Sequence, residues 1–257
     1  MRRKILAALA AILLLGAGPP ELIIGGDVYS PPPSGGGSPT WTGTGAAAQG
    51  TCSFVTTCTI TTTAAVTGGV VVVMVGVNNQ QSTAGTISAI HVCGTALTVD
   101  VANSIAAGAY GGAMGHGTVT GGTCTITVTF SVSGAIQNAG VAWGTLNNLN
   151  SSTPGTACNA FYNESQNSPF PCTGGLTVSS GGFGIVGYFD NQTTTPGSSG
   201  AVTVDATAAN SGGTSTEVAI GHTTATCDGN ANPGDSSTCR MTGANFAQVT
   251  VLGEPFR

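Results

Sequence analysis

Charge is what this sequence has least of. Of its 257 residues only 5 are Lys or Arg and 10 are Asp or Glu, 6 % in all, against about 25 % in an ordinary soluble domain. No Lys or Arg stands between Ile5 and Cys239. Phosphates therefore have nothing to dock on, which excludes nucleic-acid binding by charge. The chain also lacks the Ala, Glu, Lys and Leu content of a coiled coil. Its glycines have no three-residue period, which excludes a collagen helix. A hydrophobic fraction of 40 % and a mean hydropathy of +0.27 are too apolar for a disordered chain. What the sequence does hold is glycine, 41 residues, and threonine, 39 residues.

The N-terminus reads as an address. Met1-Arg2-Arg3-Lys4 precedes an apolar run from Ile5 to Gly18. This is the layout of a secretory signal peptide, and the run is shorter than the ~20 residues that span a membrane. Pro19 and Pro20 directly follow the small residues Gly16-Ala17-Gly18, which makes a poor cleavage site. The alternative is an uncleaved apolar tail that docks into a larger assembly. Residues 19–50, with Pro31-Pro32-Pro33, Gly35-Gly36-Gly37 and Ala46-Ala47-Ala48, read as a linker with little to bury.

From residue 51 to 257 short β-branched runs alternate with Gly, Asn and Pro. Thr125–Val132 alternates strictly, with Ile126, Val128, Phe130 and Val132 on one face and hydroxyls on the other. That is a half-buried antiparallel strand. Val70–Val77 is continuously apolar and short, as in a central strand. No capped amphipathic helix is present past residue 25. About ten such strands predict a single all-β domain over 51–257, an antiparallel sandwich with jelly-roll-like pairing. Its leading and trailing strands are expected to pair and so hide each other's edges. The glycine run Gly108–Gly117 lacks a G-K-[ST] motif and reads as a strand packed close to another backbone.

Eight cysteines, an even number behind an export-like leader, point to disulfides in an oxidising compartment. Three neighbouring pairs, Cys52–Cys58, Cys158–Cys172 and Cys227–Cys239, close short loops, and Cys93–Cys124 is left over. A zinc site would need C-x₂₋₄-C spacings, and none exists.

Candidate chemistry is sparse. The acids form no E-x-D or E-x-x-E cluster. Asp205 and Glu217 could meet across neighbouring strands, where they read as a solvated surface pair. No G-x-S-x-G elbow occurs. His91, His116 and His222 each stand alone, so only tertiary convergence would make them a metal site. Asp228, Asn230, Asn232 and Asp235 place oxygens as the first half of a calcium loop does. The closing glutamate is missing there, and the same residue types also serve any surface turn.

One stretch carries a resemblance. Ile87-Ser88-Ala89-Ile90 and Gly94-Thr95-Ala96-Leu97-Thr98 lead on to Gly122-Thr123-Cys124-Thr125-Ile126-Thr127-Val128-Thr129-Phe130-Ser131. Val141-Ala142-Trp143 and Leu146-Asn147-Asn148-Leu149-Asn150-Ser151-Ser152-Thr153-Pro154 follow. This progression resembles β-sandwich proteins of alphaproteobacterial phages and prophages. The resemblance implies a virion surface or tail accessory protein. Together with the missing catalytic cluster and the polar uncharged faces, it gives the first reading, a non-enzymatic protein that decorates or binds a surface, glycans included, in multiple copies. Its partners would be virion or cell-surface proteins, with no nucleic acid and no cofactor beyond calcium. In that reading Trp41, Tyr162 and Tyr188 are exposed to stack on sugars. The leader and the cysteines support a second reading, a secreted or cell-surface adhesin or carbohydrate-binding module. A secreted hydrolase is the third.

Overall fold

The computed structural model describes residues 23–24, 27–28, 37–52, 57–79, 86–103, 110–131, 136–162, 167–192, 195–210, 216–230, 235–243, 245 and 248–257. The expected export segment, 1–18, lies outside them. In the unit ending at Gly36, β1 (Ile23–Ile24) and β2 (Asp27–Val28) form an antiparallel pair. A second unit, from Gly37 to Arg257, holds everything that follows.

Every regular element described in this unit is a strand. Its first half runs β3 (Thr40–Cys52), β4 (Thr57–Val66), β5 (Gly69–Asn79), β6 (Thr86–Val92), β7 (Thr95–Ala96), β8 (Thr98–Asn103), β9 (Tyr110–Val119), β10 (Gly122–Ser131) and β11 (Ile136–Asn147). These make two antiparallel sheets, ordered β4-β10-β6-β7 and β3-β11-β5-β9-β8. With β8 as an added edge, that pairing is the strand order of an eight-stranded jelly roll.

The second half repeats the pattern. It runs β12 (Cys158–Tyr162), β13 (Phe170–Pro171), β14 (Phe183–Asp190), β15 (Gly197–Gly200), β16 (Thr203–Asn210), β17 (Thr216–Thr223), β18 (Cys239–Thr242) and β19 (Val249–Phe256). Its sheets are ordered β12-β19-β14-β17-β16 and β13-β18-β15. Matching β3 to β12, β5 to β14, β8 to β16, β9 to β17 and β11 to β19 gives each strand the same neighbours in both large sheets. The smaller sheets match likewise, β4, β10 and β6 to β13, β18 and β15. The expected single sandwich is thus two jelly rolls in tandem.

The four sheets stack in layers around three cores. The first lies between the two sheets of roll one, with Val71, Val73, Val75 and Trp143 against Ile126, Val128 and Phe130. The second lies between the large sheets of the two rolls, with Val72, Met74 and Met114 against Ile185, Phe189 and Leu252. The third fills roll two, where Tyr188 and Val251 meet Phe170 and Met241. This explains two unlike sequence patterns. β5 is apolar at consecutive positions because both of its faces are buried, whereas β10 alternates because one face meets solvent.

The large sheets face each other with reversed order, β3 on β16, β11 on β17, β5 on β14 and β9 on β19. A pseudo-twofold axis therefore passes through β5 and β14. Register makes Met74 equivalent to Gly187, and Gly76 to Phe189. Across the axis Met74 packs on Gly187 while Phe189 packs on Gly76, and a Cβ at Gly76 would collide with the Phe189 ring. Each roll thus supplies one knob and one hole.

Two expectations are corrected. Residues 40–50 are strand rather than linker, since β3 pairs with β11 from Thr40↔Asn147 to Cys52↔Ile136. Their small side chains read as spacer, yet they let other groups come close. A Cβ at Gly45 would lie 2.6 Å from the Trp143 ring. The leading and trailing strands do not pair. β19 is buried at every position and runs between β12 and β14, with no free edge to offer β3 or β4.

Candidate functional site

Part-buried polar groups between the two rolls form two equivalent sites. In β8 the register shifts between Val99 and Val101, and this bulge turns Asp100 toward His116 of β9. In β16 it shifts between Val204 and Ala206, and Asp205 turns toward His222 of β17. Thr98 is the register partner of His116, as Thr203 is of His222. A glycine precedes each histidine, Gly115 and Gly221. At either, a Cβ would run into the carbonyl oxygen of Thr98 or Thr203. Bulge and glycine together bring each aspartate against its ring. His116 Nδ1 lies 2.6 Å from Asp100 Oδ2. His222 Nδ1 lies 2.8 and 3.0 Å from the two Asp205 oxygens.

The opposite roll completes the two sites differently. Gly144 of β11 and Glu254 of β19 are equivalent, since they pair with the equivalent residues Val72 and Ile185. Over Gly144 lies the Trp41 ring, whose Nε1–H donates to Asp205 Oδ2 at 2.7 Å. At the other site Glu254 projects its carboxylate instead. That side chain is fully buried and neither oxygen has a hydrogen-bond partner. Burial first, and Asp100 beside it, raise the Glu254 carboxyl well above the ordinary value. Ligand-type atoms of Asp100, His116 and Glu254 all lie within 4.8 Å of one another. Phe256 meets the His116 ring edge-on at 5.7 Å.

A second pair of carboxylates lies between the sheets of roll two. Asp190 and Glu217 are register partners on β14 and β17, and both are buried. Tyr188 Oη–H donates to Asp190 Oδ2 at 2.7 Å, and the Gln192 N–H donates to Oδ1 at 3.0 Å. Burial raises Asp190 to about 6. Burial and the Asp190 charge raise Glu217 to about 7.

Several expected roles change. Asp205 and Glu217 do not form a surface pair: Asp205 belongs to His222, and Glu217 faces Asp190. The register of β16 with β17 sets Ala209, not Asp205, beside Glu217. Tyr188 is not an exposed sugar platform but a fully buried core residue. Trp41 and Tyr162 are half-buried with their polar ends engaged, Tyr162 through its hydroxyl on the Pro171 carbonyl. The three histidines do not converge. His91 lies in the outer sheet of roll one, and each of the others has its own aspartate.

Cys93–Cys124, Cys158–Cys172 and Cys227–Cys239 are disulfides. The side chains of Cys52 and Cys58 lie outside what the structure describes. In the expected calcium loop, Asp228 accepts hydrogen bonds from the Asn230 N–H and Nδ2, and Asp235 from the Ser237 N–H and Oγ–H. Both carboxylates thus close local turns, while Asn232 lies outside the described residues. Glu254 and both Asp–His pairs escape a reading of the sequence alone. A signal was available in the repeated Thr98-Val99-Asp100 and Thr203-Val204-Asp205, each followed by Ala-x-Gly-His at Ala113–His116 and Ala219–His222. The chain matches no protein-family model, and no curated protein is significantly similar to it.

Proposed function

We propose that this chain is a non-enzymatic, surface-displayed β protein that decorates a virion or cell surface and binds through many weak hydroxyl contacts. The observation that carries this reading is where its polar groups go. Asp100 and Asp205 are engaged by His116 and His222 and Asp190 faces Glu217, all between sheets, while the outer face of β10 offers Thr123, Thr125, Thr127 and Thr129. Register sets Thr125, Thr127 and Thr129 beside Thr63, Thr61 and Thr59 of β4. Such an uncharged hydroxyl face suits the hydroxyls of a glycan, and arraying copies multiplies weak binding. Three disulfides favour an oxidising destination. They equally suit a secreted adhesin or carbohydrate-binding module, which is the second reading.

A glycan screen with the chain as monomer and as a streptavidin-arrayed multimer tests the proposal. Binding is expected for the array and to fall when Thr125, Thr127 and Thr129 are changed together to Lys. No binding by the array, or turnover of a polysaccharide by the monomer, overturns it.

A further inference from the structure

We propose that Asp100, His116 and Glu254 form a binding site for one divalent transition-metal ion, zinc by preference, seated between the two jelly rolls. The three side chains leave one buried carboxyl group without a donor. A carboxylate removed from water without a donor costs several kcal/mol, so such groups are paired, protonated or bound to a metal. Glu254 is fully buried, neither oxygen has a hydrogen-bond partner, and the side chains it faces are Asp100 and His116. The Asp100–His116 pair does not relieve it. His116 already serves Asp100, so the Glu254 carboxyl can sit there only in its protonated form or against a metal ion.

The pseudo-symmetric site shows what relief without a metal looks like. Asp205 and His222 have the same bulge, glycine and ring nitrogen, but Trp41 presents an indole N–H where the first site presents Glu254. The chain therefore holds the same pair twice, once closed by a neutral donor and once by a third anion-forming ligand. That substitution is what converts a hydrogen-bonded pair into a cation site.

The donor set indicates the ion. One imidazole nitrogen and two carboxylate oxygens match zinc and its neighbours. Calcium wants six to eight oxygens and magnesium keeps an oxygen shell, so an imidazole in a set of three disfavours both. Asp100 and His116 keep 12 % and 15 % of their side-chain surface exposed, which leaves a path for entry. Glu254 comes from roll two and the other ligands from roll one, so the ion would clamp the rolls together.

The test uses the full chain, stripped with a chelator and titrated with zinc chloride by calorimetry, with thermal unfolding in parallel. One equivalent is expected to bind and to raise the unfolding temperature. Glu254→Gln fits the same volume and brings no charge into the core, so it should fold. It should weaken zinc binding by at least about tenfold, a lower bound because even partners outside a ligand set are worth that much. Asp205→Asn and Trp41→Phe should leave zinc binding unchanged. Absence of both heat and stabilisation with the unaltered chain overturns the proposal. So does zinc binding that Glu254→Gln leaves intact.

Discussion

His116 and His222 hold the same register position in two equivalent strands, and each is bound through Nδ1 to an aspartate on a bulge in the neighbouring strand. The sites differ in what the other roll brings, an indole to one and a carboxylate to the other. That difference sets opposite expectations for two substitutions. Trp41→Phe removes the donor to Asp205 and should cost about 1–3 kcal/mol of stability. Glu254→Gln, in metal-free protein, replaces a carboxyl that burial keeps protonated at a cost in stability near neutral pH, and should raise the urea midpoint there. Equal losses in both variants would show that the sites are not distinguished in this way.

Stability should fall as pH rises from 5 to 8. Asp190 and Glu217 are both raised in the folded protein, to about 6 and about 7. Between the unfolded value near 4 and these, the folded state holds more protons than the unfolded one, so the stabilisation is full at low pH and is lost as pH rises through the folded values. A tenfold difference in proton affinity between the two states is worth about 1.4 kcal/mol, so the loss is on the order of 3 kcal/mol. Denaturant midpoints across this range measure it. Asp190→Asn should flatten the profile, and a midpoint that rises with pH would contradict the assignment.

Reduction should loosen roll two more than roll one. Cys158–Cys172 and Cys227–Cys239 both lie in its core beside Phe170, Leu176 and Met241. Each such link contributes about 2–4 kcal/mol. Hydrogen exchange with and without reductant should show protection lost first in β12, β13 and β18. Uniform loss over both rolls would count against two separately stapled cores.

The knob-and-hole exchange at the axis predicts that Gly76→Val is damaging. Phe189 occupies the space a side chain would need, and overpacking of this kind costs about 1–3 kcal/mol or more. A paired Phe189→Ala change should recover part of the loss. If Gly76→Val is neutral in denaturant unfolding, the rolls do not pack as described.

Much of this architecture was legible in the chain, for physical reasons tied to particular segments. The alternation of Thr125 to Ser131 reports one wet face, and the unbroken run Val70–Val77 reports two dry ones, so outer and inner strands could be told apart. The extent of the sheet was less legible. Thr40 to Gly50 carry too little apolar surface to look like a strand, because Trp143 and β16 supply the bulk that packs on them. The acids misled for a related reason. An isolated Glu217 or Glu254 reads as surface, and only the register of β14 with β17 and the packing of β19 on β8 and β9 show what each one faces. The duplication left its clearest trace in the repeated Thr-Val-Asp and Ala-x-Gly-His, short motifs whose spacing carries no known chemistry until a bulge folds one onto the other.

The central claim, that this chain works by decorating a surface, is tested most directly by quantitative mass spectrometry of purified particles, outer cell surface and cytoplasm from a producing culture. The chain is expected in many copies on particles or the outer surface, with Cys93–Cys124, Cys158–Cys172 and Cys227–Cys239 oxidised. Recovery of the chain from the cytoplasm alone, with those thiols reduced, would contradict it.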